Sequence, residues 1–511
     1  MFKTKNLDIE TGAQIAILSE EGADILGAHP GDRIEIRMGK KTSTAILNVA
    51  SFIKGFTVGL TKELSKELEA KNGEECKIEV VQAPESILAI KEKLNGRRLD
   101  YKEVYSIIKD AVNGKLEKGE LTAFVVALHA FGIDLEEAEY ISRAMVETGE
   151  KLHLKKKRIF DKHSIGGVPG DKTTLLVVPI IAAAGLTIPK TSSRAITSAA
   201  GTADRAEVLM PVNLDSRELE RVVLKTNGCI AWGGAVHLAP ADDIFIKIEY
   251  PFSIDPLLLP SIMSKKKAAG STDLVLDVPI GESVKVRNKN DAELLIKDFS
   301  SLGARLGIRV NGAITYGDQP IGHTVGTALE AKEALETIMR SKIEEDLVDK
   351  ATSIAGMLLE MAGKENGKRL AKDILMKGLA EKKLREIIAE QGGDPEIKPE
   401  EIEVGNFEES LVAENEGRVL KFNNTAIAYA ARIAGSPSNK KAGVVVHKKI
   451  GENVSPGEKL FTVYADSLSK AKDALNYLKM HDAILVAKGN AMLIKKIVGE
   501  GIRPSHFIFE R

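Results

Sequence analysis

The chain has 511 residues, too many for one compact domain and enough for about two to four units with separate cores. Lys and Arg total 72 against 73 Asp and Glu. A net charge of -1 argues against a nucleic acid polymer or an anionic membrane as main partner, so any anion site must be local. The two cysteines, Cys76 and Cys229, lie far apart in sequence, make neither a disulfide framework nor a metal-ligand cluster, and read as small apolar residues.

The opening MFKTKNLDIE lacks an apolar signal core, and no run reaches the ~18 apolar residues of a membrane span, so the cytoplasm is the expected compartment. Residues 1–84 read as short strands with polar turns. Ile34-Glu35-Ile36-Arg37 and Ile78-Glu79-Val80 alternate, and His29-Pro30-Gly31-Asp32 marks a turn. A small β-rich module with a docking or assembly role is expected. Beyond residue 85 the period becomes helical: Val104, Ile107, Ile108 and Val112 share one face. Asp134 with Glu137 fits a capping box before a further helix that Gly149 can end. From about residue 158 the pattern is α/β, and Leu175-Leu176-Val177-Val178 suits a strand buried on both faces. Lys368 to Glu390 reads as solvent-facing helix, and Gln391-Gly392-Gly393-Asp394-Pro395 as a break. Gly443-Val444-Val445-Val446, then Gly451, Val454, Gly457 and Leu460, predict a compact β substructure appended to the main sheet.

Two loops carry chemistry. In Asp161-Lys162-His163-Ser164-Ile165-Gly166-Gly167-Val168-Pro169-Gly170-Asp171-Lys172-Thr173-Thr174 the glycines let the backbone approach a ligand, while Lys162, Ser164 and Thr174 add a cation and hydroxyls. Those are the donors a phosphate needs, and the Walker ending is absent. The second loop, Thr191 to Asp204, gathers hydroxyls around Arg194, with small residues at Ala195, Ala199, Ala200 and Gly201. Each alone could be a plain connecting turn. Together they predict an anion-lined cleft.

Ser192-Ser193-Arg194-Ala195-Ile196-x-x-Ala199-Ala200-Gly201-Thr202-x-Asp204-x-x-Glu207 closely resembles the signature of the thymidine and pyrimidine-nucleoside phosphorylase family. The first loop resembles that family's Lys-His-Ser-x-Gly-Gly-Val-Gly-Asp segment, here with Pro169 inserted. Ser261-Ile262-Met263-Ser264-Lys265-Lys266, Asp318-Gln319-Pro320-Ile321-Gly322 and Val325-Gly326-Thr327-Ala328-Leu329-Glu330 follow in family order. The resemblance implies an α/β and α+β multidomain fold: a small helical domain (85–157 and about 237–268) facing a large α/β domain (158–236 and about 269–400) across a cleft. Residues 401–511 would form a C-terminal α/β part with the appended β substructure, and 1–84 the added β-rich module. It further implies that Lys162, Ser164, Ser192 and Thr202 hold phosphate, with Thr174 where the family has Ser. Ser261 and Lys265 would face the base. His163 matches a proposed catalytic His, although packing beside the loop is an equal reading.

Nucleoside enzymes that read pyrimidines carry an Arg in a Leu-Arg-Asp context upstream of the Ser matching Ser261. Alignment on Asp255 puts Ile248 at that Arg and Glu249 at the neighbouring acid, so base recognition must differ or relax. With the N-terminal extension and the Ser-Ser-Arg loop, the chain resembles the archaeal AMP phosphorylase branch of the family. That branch implies conversion of a nucleoside 5′-monophosphate (AMP, with CMP and UMP) and phosphate to free base and ribose 1,5-bisphosphate. A 5′-phosphate needs a second anion site, for which Ser193, Arg194, Thr197 and Ser198 are the surplus donors. Gly167, Ala195, Ile196 and Lys285 are the further substrate contacts that the branch implies. Asp255 is the implied general acid, with Phe252, Ile254, Pro256, Leu257 and Leu258 placed to desolvate it. Phosphate is a co-substrate and neither cofactor nor metal is expected; a homodimer or larger homo-oligomer is. A pyrimidine-nucleoside phosphorylase and a non-catalytic nucleotide-binding protein remain the alternatives.

Overall fold

The computed structural model describes residues 1–195 and 198–487. Strands β1 (Phe2–Asn6), β2 (Ile15–Leu18), β3 (Arg33–Met38), β4 (Lys41–Val49), β5 (Thr57–Leu60) and β6 (Glu75–Val80) close into a barrel in the order β1-β5-β2-β4-β3-β6, with short helices α1 (Glu20–Leu26) and α2 (Lys62–Leu68) between them. Period-two alternation drives this: Ile34, Ile36, Ala45 and Leu47 point into the core and Arg37 out. The barrel meets the helices that follow through Arg33, whose buried guanidinium pairs with Glu117 and Glu120.

Helices α3 (Ser86–Leu94), α4 (Tyr101–Val112), α5 (Lys118–Phe131) and α6 (Leu135–Glu147) form a bundle around Val104, Ile107, Ile108 and Phe124. Asp134 does cap α6, accepting from the Glu136 and Glu137 amides at 2.9 and 2.8 Å. The expected return bond from Glu137 is not made. Its buried carboxylate instead takes Lys93 Nζ at 2.7 and 2.8 Å and the Leu99 amide at 3.0 Å, which pins α3 to α6. Gly149 lies just beyond the Thr148 cap, where a side chain would collide with the Leu238 carbonyl; close approach, not the turn, requires glycine there.

The α/β part follows with β7 (Phe160–Ser164), α7 (Thr173–Ala183), β8 (Ile188–Ser192), α8 (Thr202–Ala206), α9 (Ser216–Thr226), β9 (Gly228–Trp232) and α10 (Gly233–Val236). The chain then returns to the bundle as α11 (Pro240–Phe252) and α12 (Leu258–Ala268). It completes the α/β part with β10 (Asp273–Ile280), α13 (Lys289–Leu306), β11 (Arg309–Tyr316), β12 (Thr324–Val325), α14 (Thr327–Ile338), α15 (Glu345–Met361), α16 (Gly367–Met376) and α17 (Leu379–Glu390). Strand β10 lies between β7 and β11, all parallel, and β8 runs parallel to β9. The Phe160 amide bonds the Thr187 carbonyl at 2.8 Å and joins the starts of β7 and β8, so their carboxyl ends, Ser164 and Ser192, emerge at one edge. Ligands of open parallel sheets bind at that edge.

Two expectations are corrected. Leu175–Val178 lies not in a strand but in α7, buried on every side and covered by α15 and α17; a uniformly apolar run carries no period to tell the two apart. Lys368 to Glu390 is two helices, each with a buried face, Ala371, Ile374 and Leu375 on α16 and Ala380, Leu384, Ile387 and Ile388 on α17.

The last part has β13 (Phe407–Val412), β14 (Gly417–Phe422), α18 (Asn424–Ala434), β15 (Gly443–Val446), β16 (Asn453–Val454), β17 (Lys459–Ala465), α19 (Leu468–Met480) and β18 (Ile484–Ala487). One sheet, β12-β15-β17-β13, takes its first strand from the α/β part; β16-β14-β18 is the other. Among the described residues no helix is long and apolar enough to cross a membrane.

Lys93→Ala leaves the Glu137 carboxylate buried without its cation and is expected to cost about 3–5 kcal/mol, read as a lower denaturation midpoint. A variant as stable as the parent would show that the pair does not hold α3 on α6.

Candidate functional site

Strand β7 delivers Lys162 and Ser164 to the sheet edge, and the glycine loop follows. Gly167 and Gly170 adopt φ of +95° and +74°, a region that disfavours side chains. A Cβ at Gly167 would lie 3.1 Å from the Lys285 amide nitrogen, and one at Gly170 would lie 2.7 Å from the Ile321 and Thr324 carbonyls. The inserted Pro169 is absorbed by its carbonyl, which accepts the Ile321 amide at 3.1 Å. The loop feeds α7, whose first turn carries Thr174, buried.

Charges beneath the loop are arranged in layers. Asp161, fully buried, faces Lys266 at 2.8 Å and Lys190 at 3.8 Å. Lys350 lies 2.8 Å from Asp277 and 3.8 Å from Asp171, and its field and that of Lys162 hold Asp171 well below the usual carboxylate range against the effect of burial. Burial, then Lys266, pushes the Lys190 ammonium well down; its nitrogen donates to the Thr191 carbonyl at 2.8 Å. Lys162 is the buried lysine here that makes no ion pair within 4.0 Å among the described residues. Burial lowers its pKa, and the charges of Asp171 and Asp277 oppose that. His163 is kept neutral by burial and by the surrounding lysines, which disfavours the role of proton donor.

At the end of β8, Ser192 is half-buried and Ser193 exposed. Asp204 closes the second loop by accepting the Ala195 amide at 2.7 Å and the Gly201 amide at 2.9 Å. Ser198 is exposed and donates to the Ala200 carbonyl at 3.2 Å, and Thr202 opens α8 beside it. Ile196 and Thr197 lie outside the described residues. Arg194 differs from expectation. Its guanidinium donates to Asp204 (3.1 Å), Glu207 (2.9 and 2.6 Å) and Asn213 (3.1 Å), and lies over the Trp232 ring at 5.0 Å. It braces the loop and is not a surplus cation for a second phosphate.

Across the cleft, α11 ends at Ser253, whose φ of +53° reverses the chain and sets out Asp255 ahead of α12. The Asp255 side chain is 45% exposed and lies 3.6 Å from Lys285 Nζ. Partial desolvation raises its pKa against the pull of Lys285. Phe252, expected to cover it, is itself 58% exposed and does not. Since the Lys285 amide also abuts Gly167, Lys285 links the acid to the glycine loop. Ser261 and Lys265 sit on α12; Lys265 is engaged by buried Asp242, so its ammonium is not a free base contact. Ile248 packs in the helical core with Phe245 and Leu257, so the position aligned with the base-reading Arg does not face the cleft at all. Two residues were given no role by the sequence reading although both stand in its motifs: Lys172 of the first loop, whose buried ammonium binds several oxygens, and Glu249, aligned with an acid and here a buried carboxyl pushed up to about 7. Their partners lie outside those motifs.

Trp232 is the chain's only tryptophan, so its emission reports the Arg194 clamp. The clamp holds Glu207 down at about 2, so its stabilisation is complete above the ordinary value of 4.5 and drains as pH falls from there towards about 2. Emission is expected to stay constant from neutrality to the ordinary Glu value and to change below it, and Arg194→Ala to shift it at neutral pH; a clamp signal already lost near neutrality would contradict this.

Residues 156–381 match the Glycosyl transferase family, a/b domain, residues 88–149 its helical bundle domain, and residues 419–484 the Pyrimidine nucleoside phosphorylase C-terminal domain. The chain is 47% identical over 512 aligned residues to an AMP phosphorylase of Thermofilum pendens, covering 100% of both chains. It is 49% identical to one of Thermococcus sibiricus (97% of this chain, 99% of that one) and 47% identical to one of Pyrococcus furiosus (93% and 95%). Among solved structures, anthranilate phosphoribosyltransferase of Thermus thermophilus shares the fold, with a TM-score of 0.50 at 20% identity over 59% of this chain and 99% of that one. On the matching domains and these full-length similarities, the chain belongs to the AMP phosphorylase family.

Proposed function

We propose that the cleft binds a nucleoside 5′-monophosphate, AMP foremost with CMP and UMP beside it, together with inorganic phosphate, and transfers the 5-phosphoribosyl group between them. The products are free base and ribose 1,5-bisphosphate. The observation that carries this reading is the convergence of two donor-rich loops, bridged by Arg205 donating to the Asp171 and Ala200 carbonyls, together with an acid of raised pKa on the turn between α11 and α12. In this reading Lys162, Ser164, Thr174 and Ser192 hold the attacking phosphate, with Thr202 beside them. With the Arg194 side chain engaged, the 5′-phosphate handle falls to the hydroxyls of Ser193 and Ser198 and to loop amides. Phosphate is the co-substrate, and no step calls on a cofactor.

The chemistry follows from the bond that is cut. The base–C1′ bond breaks with its electron pair passing to the base, and positive charge grows at C1′. A phosphate oxygen held close stabilises that charge and forms the new C1′–O bond. A base leaves poorly as an anion, so Asp255 gives its proton to a ring nitrogen. Its raised pKa keeps that proton available nearer neutrality than an ordinary Asp would, and Lys285 limits the rise. Ser261, in the first turn of α12 with its amide bonded to the Leu257 carbonyl, is the hydroxyl that this reading sets against the base.

Phosphate-dependent release of adenine from AMP is expected, with far weaker action on adenosine. Equal rates would remove the 5′-phosphate site, and thymidine or uridine outpacing every monophosphate would make this a nucleoside enzyme. Asp255→Asn is expected to lower turnover by about 10²-fold or more while AMP affinity is kept. AMP binding without base release at any phosphate concentration would mean a sensor instead. We also infer that the N-terminal barrel serves assembly of a homo-oligomer; deletion of residues 1–84 should then give smaller particles by light scattering, and unchanged size would refute it.

A further inference from the structure

Glu249 stands in the last turn of α11, buried, six residues before Asp255. A buried carboxyl needs a reason. Its Oε1 accepts the Leu257 amide at 3.2 Å, across the turn that holds Asp255, and its own carbonyl accepts the Ile254 amide at 3.4 Å. The turn is thus bonded at both ends to one residue, and its reversal is made by Ser253 in the left-handed region without glycine. No ion pair neutralises Glu249 among the described residues. Around α11, helices α4, α5 and α6 contribute apolar side chains such as Val104, Ile108, Phe124 and Ile141. The charged groups that face Glu249 and Asp255 are each other, Asp242 on α11 and Lys285. Lys265 of α12 is taken up by Asp242, with Asp243 nearby.

We propose that Glu249 is a positioning residue for Asp255: its carboxyl pins the turn that aims the acid. This rests on the reading of Asp255 as the general acid. Burial, and next the charge of Asp255, push Glu249 up to about 7, so Glu249 keeps its proton after Asp255 has lost its own and serves the turn as a neutral carboxyl. Nothing in the arrangement asks Glu249 to touch substrate.

The test is phosphate-dependent adenine release from AMP in two variants. Glu249→Gln keeps an oxygen for the Leu257 amide and is expected to hold kcat within about threefold of the parent. Glu249→Ala loses the bond to the turn, and its kcat is expected to fall by about tenfold with AMP affinity retained, a split that a general loss of structure would not give. Glu249→Ala at the parent rate, or Glu249→Gln falling as far as Glu249→Ala, would overturn the positioning role. Asp255→Asn run alongside separates the two ideas. If it keeps the parent rate, the acid is misassigned; if it is inactive while Glu249→Ala keeps the parent rate, only the role of Glu249 falls.

Discussion

One buried ammonium organises the phosphate side of the molecule. Lys172, wholly enclosed at the start of α7, donates to the Ile321 carbonyl at 2.9 Å, to the Thr324 carbonyl at 3.2 Å, to the Thr324 hydroxyl at 3.0 Å and to the Glu333 carboxylate. An isolated charge at that depth would be prohibitive, and only several oxygens in good geometry make it tolerable. The same contact ties the glycine loop to the 317–326 segment and to α14. Gly322 must lack a side chain because one would collide with Glu333 and crowd the ammonium. The carboxylates of Glu333 and Glu344 and the imidazole of His323 come within 4.8 Å of one another, yet the positive charge that Glu333 needs is already supplied by Lys172. Through β12, which starts beside this cage and pairs with β15, the C-terminal sheet inherits its position from the same lysine.

The two sides of the cleft treat charge in opposite ways. Beneath the glycine loop, buried lysines are matched against Asp161, Asp171 and Asp277, and Lys162, buried with them, is the one without an ion pair among the described residues. On the α11–α12 side carboxyls are crowded and partly desolvated, so protons are retained. Anion affinity and proton donation ask for contrary environments, and two domains facing each other allow both within one site.

What can be read from the sequence is what is local. Hydroxyls, glycines and Lys162 lie within single loops and so show as consecutive residues, and the barrel strands show their alternation one residue at a time. What escapes depends on partners distant in the chain. By spacing Glu137 is a cap, but Lys93 captures its carboxylate. By its loop's composition Arg194 reads as a surplus cation, but Asp204 at the loop's end and Glu207 and Asn213 beyond it close on the guanidinium. The Leu175–Val178 run is helix because α15 and α17 arrive to cover it from a stretch more than a hundred residues on. Alignment sets Ile248 at the base, whereas the direction of its side chain is decided by the packing of α11.

The closed ring of the N-terminal barrel has a consequence of its own. Strand β1 hydrogen-bonds to β5 on one side and β6 on the other, so the module offers no bare ribbon of amides and carbonyls to a neighbour. Whatever touches it must do so through side chains, in a discrete and saturable way. Trimming even the first strand would bare two rims at once and turn a self-limiting surface into one open to runaway sheet growth.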